Sequence, residues 1–357
     1  MENEIIKNED LFVKITSLIE KSRHHIATAV NTAMVITYFE IGRYIVQDEQ
    51  KGSNRAKYGK SVLKELSSKL TERFEKGWSV ENLQNIRNFY LAYSQKYETV
   101  FHKSSDSDLV NSVYEIQNPF ELSWSHYLIL MRIQNIDERN FYEIECKNQN
   151  WSVRQLSRQV NSSLYERLAL SRNKDEVMAL SQKGHIVEKP SDIIKNPLTL
   201  EFLGLKEESS YSESKLENAI ISKMQDFLLE MGKGFLFEAR QKRFTFDEEH
   251  FYVDLVFYNR LLRCYVLIDL KIDKLTHQDL GQMQMYVNYF DRYVKQDFEN
   301  PTIGILLCKE KKDTLVELTL PKDSNIYAQE YRLYLPDKKL LQQKVKEWIA
   351  EFEDAAK

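Results

Sequence analysis

Apolar residues recur at helical spacing through the first half of the chain. Residues 61–93 show this spacing twice, on either side of a turn that contains Gly77, and Ser79 is placed to cap the second helix. The same spacing occurs closer to the start of the sequence, at Leu11, Ile15, Leu18 and Ile19, and again at Val30, Met34, Tyr38, Ile41 and Ile45. The first half is therefore predicted to be all-helical.

The pattern changes in the second half, where short apolar runs typical of strands alternate with helical segments. A helix is predicted at 214–231 and another near 276–294. Strand-like runs occur at 234–246, 251–258, 263–272, 302–308 and 326–335, and a charged helix follows at 336–356. This order predicts an α/β unit, or an α+β fold overall, with a mixed central sheet flanked by helices.

A polar stretch separates the two patterns. Residues 172–210 contain Pro190 and Pro197 and a run of Glu and Ser, so we interpret them as a connecting segment. The predicted domains are then a helical domain at 1–171 and a domain with a mixed sheet at 211–357.

The composition agrees with a globular protein of two domains, since 42% of its 357 residues are hydrophobic and 29% are charged. No apolar run approaches the roughly 20 residues that span a bilayer, and the first residues lack the apolar stretch of a signal peptide. Cys146, Cys264 and Cys308 are too widely spaced for a CxxC metal site, and their odd number does not indicate a disulfide framework. We therefore expect a cytoplasmic protein without membrane attachment.

A formal net charge of −4 excludes a polycation, so nucleic acid would have to bind at local patches. Residues 51–90 form one such patch, with nine Lys+Arg against four Asp+Glu. Arg87 lies in the second helix of this region, and Arg154 and Arg158 lie on one face of a later helix. These three arginines are candidates for nucleic-acid contacts. Ordinary helical hairpins with polar, solvent-facing side chains would give the same pattern, and that alternative stays open.

Two neighbouring apolar runs contain ionisable residues, Asp254 in the first and Asp269 and Lys271 in the second. Burying an unpaired charge is costly, so these groups need a common partner. The short segment between the runs predicts a hairpin, and a turn centred near 260–261 would put Asp254 opposite Leu267. Because side chains alternate along a strand, Asp269 and Lys271 would share the face of Asp254, with the two aspartates as diagonal neighbours about 7–8 Å apart.

Two carboxylates that converge in this way suit Mg²⁺ or Mn²⁺, which prefer hard oxygen ligands. Such a metal lowers the pKa of a bound water and offsets negative charge on a phosphate. Lys271 beside it would orient the attacking water or a phosphate oxygen. An ordinary Asp–Lys ion pair on a surface-facing strand is the alternative that spacing alone leaves open.

The pattern Asp254–x14–Asp269–x–Lys271 resembles the signature of the PD-(D/E)XK nucleases. Flanking segments resemble the YhcG family of these proteins, at 216–217, 227–235, 240–241, 252–258, 281–286 and 300–308 in the second half and at 38–42, 58–59, 124–126 and 151–154 in the first. The resemblance implies a restriction-endonuclease-like PD-(D/E)XK domain preceded by a winged-helix-like DNA-binding domain. The family often has Glu where this chain has Asp269, whose shorter side chain changes the metal geometry slightly.

The resemblance also implies a fuller set of metal ligands. Glu217, on the helix before the sheet, and the carbonyl of Leu270 would join Asp254 and Asp269 around the metal.

A helix after the strands is implied to face the same site. Gln282 and Tyr286 match a Q-x-x-x-Y element of related nucleases, and at this spacing they share a helix face from which they could position the DNA strand. Gln284 lies roughly 200° around the helix from Gln282, so at most one of the two glutamines faces the site.

These features together favour a Mg²⁺-dependent endonuclease that hydrolyses DNA phosphodiester bonds, with genome defence or DNA processing implied by the resemblance. The expected partners are duplex or branched DNA, restriction-system proteins and a second copy of the chain. Two alternatives stay open: a non-catalytic DNA-binding protein whose nuclease-like domain docks a partner, and a nuclease directed to RNA. The C-terminal helix, at 338–356, could cap the sheet or join a homodimer.

Overall fold

The computed structural model describes residues 2–51, 55–101, 120–170, 174–195, 197–205, 211–321 and 323–355. Contacts within the chain divide it into two compact units. The N-terminal unit comprises residues 1–139 and 146–153, and the C-terminal unit comprises residues 140–145 and 154–357.

Helices form the N-terminal unit. They are α1 (Glu2–Lys51), α2 (Arg55–Phe74), α3 (Val80–Phe101), α4 (Trp124–Leu130) and α5 (Ile136–Gln149), the last of which contributes residues to both units. Their apolar faces meet in a cluster that contains Ile45, Leu63, Leu83 and Ile86. The helical prediction is confirmed for these residues. A wing would be a pair of strands, and the described residues of this unit contain no strand.

Gly42 lets α1 approach α3 closely. A Cβ at this position would lie 2.6 Å from the carbonyl oxygen of Ile86 and 2.7 Å from the Cβ of Tyr90. Because these atoms belong to the backbone or lie next to it, they cannot give way without moving the helix. We therefore expect Gly42→Ala to destabilise the protein by about 1–3 kcal/mol.

Gly281→Ala is the matched control for Gly42→Ala. Gly281 also lies inside a helix, but a Cβ there would meet no atom within 4 Å. Since alanine is the better helix former, this change should stabilise by about 0.5–1 kcal/mol. The thermal unfolding midpoints of both variants test the pair, and shifts of the same sign and size would contradict the close approach of α1 and α3.

The C-terminal unit is built around a six-stranded mixed sheet. Its helices are α6 (Val153–Asn161), α7 (Leu164–Ala169), α8 (Lys174–Lys183), α9 (Glu213–Ser222), α10 (Met224–Met231), α11 (His277–Tyr293), α12 (Asp313–Thr319) and α13 (Lys338–Ala355). Its strands are β1 (Leu198–Thr199), β2 (Phe235–Phe246), β3 (Glu249–Asn259), β4 (Cys264–Leu270), β5 (Ile303–Cys308) and β6 (Ile326–Arg332). The strand order is β1-β6-β5-β4-β3-β2. Strands β2 to β4 are antiparallel, and β4, β5, β6 and β1 are parallel, which confirms the predicted mixed sheet.

Apolar clusters cover both faces of this sheet. On one face, Leu216 of α9 and Phe227 of α10 pack in a cluster with Ile268 of β4. On the other face, Met283 of α11 packs in a cluster with Leu267 of β4. Side chains alternate along β4, so the residue after Ile268 points towards α11. The fold thereby directs the aspartate of the Asp-Leu-Lys motif to the α11 face.

The segment predicted to connect the two domains contributes to the sheet. Strand β1 pairs with β6, with Leu198 opposite Tyr331, and Leu198 is buried. Helices α6 and α7, which were predicted to lie in the first domain, belong to the C-terminal unit, where Leu156 and Leu168 are buried. The contact-based division thus differs from the predicted boundaries. Arg158 of α6 donates hydrogen bonds to Glu230 of α10 and to the carbonyl of Thr199 in β1, and β1 pairs within the sheet.

The C-terminal helix packs on other helices of its own unit. Val345 of α13 forms a buried cluster with Ala169 of α7 and Val177 of α8. The apolar stripe that was predicted to cap the sheet or to join a homodimer is therefore used in part against α7 and α8.

None of the helices in the described ranges combines the length and the apolar content that crossing a lipid bilayer requires.

Candidate active site

The β3–β4 hairpin brings its two aspartates directly opposite one another. Its strands pair with Leu255 opposite Ile268 and Asn259 opposite Cys264. Continuing this register by one residue places Asp254 opposite Asp269. The sequence had predicted Leu267 as the partner of Asp254, because it assumed a turn centred one residue too early. The error moves the register by two residues. Because side chains alternate faces with a period of two, Asp254 and Asp269 are still expected on the same face.

Asp254 is held by hydrogen bonds to both carboxylate oxygens. The backbone N–H of Leu270 donates to its Oδ2 at 2.8 Å, and Nε2 of Gln241 donates to its Oδ1, also at 2.8 Å. The first bond links β3 to the end of β4, and the second links β3 to β2. The carboxylate of Asp254 is therefore fixed in orientation by both neighbouring strands.

Asp269 and Lys271 form an ion pair on the same face. Nζ of Lys271 lies 2.9 Å from Oδ2 of Asp269, whose side chain is almost fully buried. Burial and then the charge of Asp254 raise the pKa of Asp269 to about 7, although Lys271 acts in the opposite direction. Burial alone would lower the pKa of Lys271, but the charge and hydrogen bond of Asp269 outweigh burial and raise it. Lys271 is thus a cation at neutral pH.

Glu217 approaches Asp254 from α9 through a shared hydrogen-bond donor. Nε2 of Gln241 donates to Oε2 of Glu217 at 2.9 Å while it also donates to Asp254. The other oxygen of Glu217 accepts a hydrogen bond from Arg240 at 2.6 Å, and the Glu217 side chain is 4% exposed. Glu217 thus lies near Asp254, joined to it through the side chain of Gln241.

Gln282 and Tyr286 lie together on α11, where Nε2 of Gln282 donates a hydrogen bond to the hydroxyl of Tyr286. Tyr286 is buried, and burial followed by the charge of Asp269 raises its pKa to about 12. Gln284 instead donates to Asn288, further along the helix. Of the two glutamines, Gln282 is therefore the one paired with Tyr286.

Two residues of the site were not predicted from the sequence. Gln241 bridges Glu217 and Asp254, and it has a left-handed backbone conformation with a φ of 47°. Asp279 lies 3.7 Å from Lys271 and forms a capping box with Thr276 at the start of α11. The Thr-x-x-Asp spacing could have identified Asp279 as a helix-start residue. Gln241 lies in the 240–241 segment that resembles the YhcG family, but no site role was predicted for it, because that role depends on the pairing of β2 with β3.

The donor set of the site suits a hard divalent cation. Glu217, Asp254 and Asp269 bring three carboxylates together beside the cations Arg240 and Lys271. Burial and then the charge of Asp254 raise the pKa of Asp269 despite the opposing effect of Lys271, so a bound cation would stabilise its ionised form. In the described part of the chain, no three His, Cys, Asp or Glu side chains are already arranged around one point where a metal ion could sit.

The three predicted nucleic-acid contacts differ in how they are placed. Arg154 of α6 is exposed. Arg87 of α3 is partly exposed and forms an ion pair with Glu49 at 2.7 Å. Arg158 is only 13% exposed, and its guanidinium pairs with Glu201 at 3.1 Å and with Glu230 at 3.0 Å. Arg158 is therefore engaged with protein carboxylates instead of being displayed for a phosphate.

Comparison with known proteins finds relatives for both halves of the chain. Residues 191–346 match the family described as YhcG PDDEXK nuclease domain, and residues 14–167 match the DUF1016 N-terminal domain. Over 344 residues the chain is 38% identical to "Putative nuclease YhcG" of Escherichia coli (strain K12), which covers 92% of this chain and 90% of that protein. A crystal structure of a repair endonuclease from Pyrococcus abyssi aligns with 37% of this chain and 50% of its own, at 19% identity and a TM-score of 0.24. That overlap is too slight to relate the two folds.

Proposed function

Because the chain belongs to the YhcG family, whose C-terminal part is a PDDEXK nuclease domain, we propose that it is a Mg²⁺- or Mn²⁺-dependent endonuclease acting on DNA. The observation that carries the proposal is the convergence of Asp254, Asp269 and Lys271 on one face of β3 and β4, towards α11. An ordinary surface ion pair would not need two aspartates directly opposite one another, with one of them buried.

The residues that would hold the metal are Asp254, Asp269 and Glu217, together with the carbonyl of Leu270. When bound, the metal would lower the pKa of a water molecule and offset charge on the phosphate. Lys271 is held as a cation beside these carboxylates, so its role is to orient the water or a phosphate oxygen and not to accept a proton.

Tyr286 and Gln282 would contact the DNA strand from α11. With its pKa raised to about 12, Tyr286 keeps its proton at neutral pH and can donate a hydrogen bond. Gln282 already donates to the Tyr286 hydroxyl, so it orients the ring and leaves the phenolic hydrogen for a phosphate oxygen.

The helical N-terminal unit is proposed to bind DNA in a winged-helix-like manner. Arg87 is the favoured phosphate contact of this unit, since it is partly exposed. Arg154, which is exposed, is proposed as a separate phosphate contact on the C-terminal unit. Arg158 could contact DNA only if its ion pairs opened. We further propose a cytoplasmic protein in genome defence or DNA processing, with restriction-system proteins or a second copy of the chain as partners.

A cleavage assay tests the proposed function. Supercoiled plasmid, linear duplex, branched DNA and RNA are each incubated with the protein in Mg²⁺, Mn²⁺ or EDTA. We expect cleavage of DNA with either metal and none in EDTA, because the carboxylates cannot activate a water on their own. If the protein binds DNA but cleaves it under none of these conditions, the proposed catalytic activity is overturned in favour of a non-catalytic binding protein. If it cleaves RNA alone, the proposal of DNA as the substrate is overturned.

A further inference from the structure

A cavity of about 600 Å³ lies beside α11, next to the helix face that carries Gln282 and Tyr286. Its apolar lining includes Phe246, near the tip of the β2–β3 hairpin, and Tyr289 and Tyr293 of α11. Asn288 and Arg292 bring polar groups to the same space. Cavities of this size and mixed lining are typical of sites for small organic groups.

A row of aromatic rings leads from the candidate active site to this cavity. The ring of Tyr286 meets that of Phe244 edge-on, with centroids 5.4 Å apart. Phe244 stacks on Tyr289 at 4.2 Å, and Tyr289 contacts Tyr293 at 5.2 Å. Tyr293 is 73% exposed. Tyr286 and Phe244 of this row are buried, whereas Tyr289 and Tyr293 line the cavity, so these two rings are the ones that a DNA strand could contact.

Gly281 lines the cavity without contributing a side chain. It lies in the first half of α11, where glycine is less favourable than alanine, and its backbone is not in the left-handed region that would require glycine. A Cβ at this position would meet nothing within 4 Å. The helix therefore carries a glycine where neither packing nor backbone conformation calls for one, and the space it leaves belongs to the cavity.

The chemistry of the lining fits a nucleobase. Aromatic rings stack on the flat face of any base, and the amide of Asn288 can pair with a base edge. Arg292 has no ion pair with any residue that the structure describes, so its guanidinium can approach a flanking phosphate. A second protein chain would fit less well, since the apolar lining is a small cavity and not a broad face.

We propose that this cavity receives an unstacked base of the DNA strand next to the scissile phosphate. The site would then favour DNA with single-stranded or splayed nucleotides, such as branches, flaps and frayed ends, over intact duplex. This inference rests on the proposed function, because it takes the strand at Asp254 and Asp269 to be DNA.

The test measures binding in EDTA, where no cleavage can occur. The probes are a single-stranded deoxyoligonucleotide that carries 2-aminopurine and a blunt duplex of the same sequence. Gly281→Leu should fill the cavity and Tyr293→Ala should remove an exposed ring, so each should weaken single-strand binding about tenfold and reduce the quenching of 2-aminopurine. Duplex binding should change less than about twofold, because paired bases stay stacked in the helix.

One control variant accompanies them. Tyr334→Ala removes a half-exposed tyrosine outside the cavity and should bind the single strand as wild type does. If Gly281→Leu and Tyr293→Ala also bind it as wild type does, or weaken both probes equally, the base site is overturned. The two proposals can fail separately. If Gly281→Leu and Tyr293→Ala lose single-strand binding while the wild type cleaves no DNA with Mg²⁺, the base site is supported and only the proposed nuclease activity is overturned.

Discussion

Asp269→Asn should reduce DNA cleavage by at least about 10³-fold and leave the protein at least as stable as the wild type. The amide can still accept the hydrogen bond from Lys271, but it cannot supply the negative charge that a divalent cation needs. The wild-type carboxyl is buried opposite Asp254, and its pKa is raised to about 7. A raised pKa in an acid means that the ionised form weakens the folded state, so removing the charge relieves repulsion.

This pairing of lost activity with retained stability distinguishes a catalytic carboxylate from a structural one. Initial rates of plasmid cleavage in Mg²⁺ and the midpoint of urea unfolding are the two measurements. Asp313→Asn is the control, because Asp313 is an exposed carboxylate paired with Lys311 in the same unit. A variant at Asp269 that cleaves within tenfold of wild type would exclude Asp269 from the metal site.

Glu230→Gln should lower the free energy of unfolding by about 3–5 kcal/mol, a large share of the stability of an ordinary domain. Glu230 is fully buried in the C-terminal unit and pairs with Arg158 and Arg167. Nζ of Lys195 donates a hydrogen bond to the Glu230 carbonyl, and the backbone N–H of Thr199 donates to Oε1 at 3.0 Å. Without the carboxylate, Arg167 and Lys195 would lose a neighbouring negative charge in the core, and Arg158 would keep its ion pair with Glu201.

The pH dependence of stability gives an independent measurement of this network. Burial raises the pKa of Glu230, but the charges of Arg167, Lys195 and Arg158 outweigh burial and lower it to about 2. The stabilisation from ionised Glu230 is therefore complete above its ordinary pKa of 4.5 and is lost as the pH falls from there towards 2. Urea unfolding between pH 7 and pH 2 should show this loss in the wild type and a smaller one in Glu230→Gln.

Glu310→Gln is the matched control for the buried network. Glu310 forms an exposed ion pair with Lys274 at 3.1 Å, so its loss should cost less than about 1 kcal/mol. If Glu230→Gln and Glu310→Gln both unfold at the same urea concentration as the wild type, the network around Glu230 does not contribute measurably to the stability of the unit.

The centre of the site was predictable because it depends only on the alternation of side chains between the two faces of a strand. Asp254, Asp269 and Lys271 stay on one face when the register moves by two residues, so an error in the turn did not change the outcome. The network around Gln241 was not predictable, since it joins β2, β3 and α9 through one side chain on a strained backbone. Such bridges depend on tertiary geometry that no local pattern encodes.

The fold was predictable where periodic segments are long. The mixed sheet and the order of its main elements follow from the apolar runs of the second half. Strand β1 has two residues, too few to show a period, and its partner Tyr331 lies far along the chain. Arg158 looked like a surface residue because its spacing from Arg154 resembles a recognition helix, whereas its partners Glu201 and Glu230 come from distant segments.

Arg158 and Arg167 determine where a truncated fragment that contains the PDDEXK domain has to begin. The family match for this domain starts at residue 191, after both arginines. A fragment that begins there keeps Glu230 and Lys195 but removes the two guanidinium groups that neutralise the buried carboxylate. An expressed fragment needs to begin before α6 to retain them, so the smallest independently folding nuclease fragment is longer than the region that defines the family.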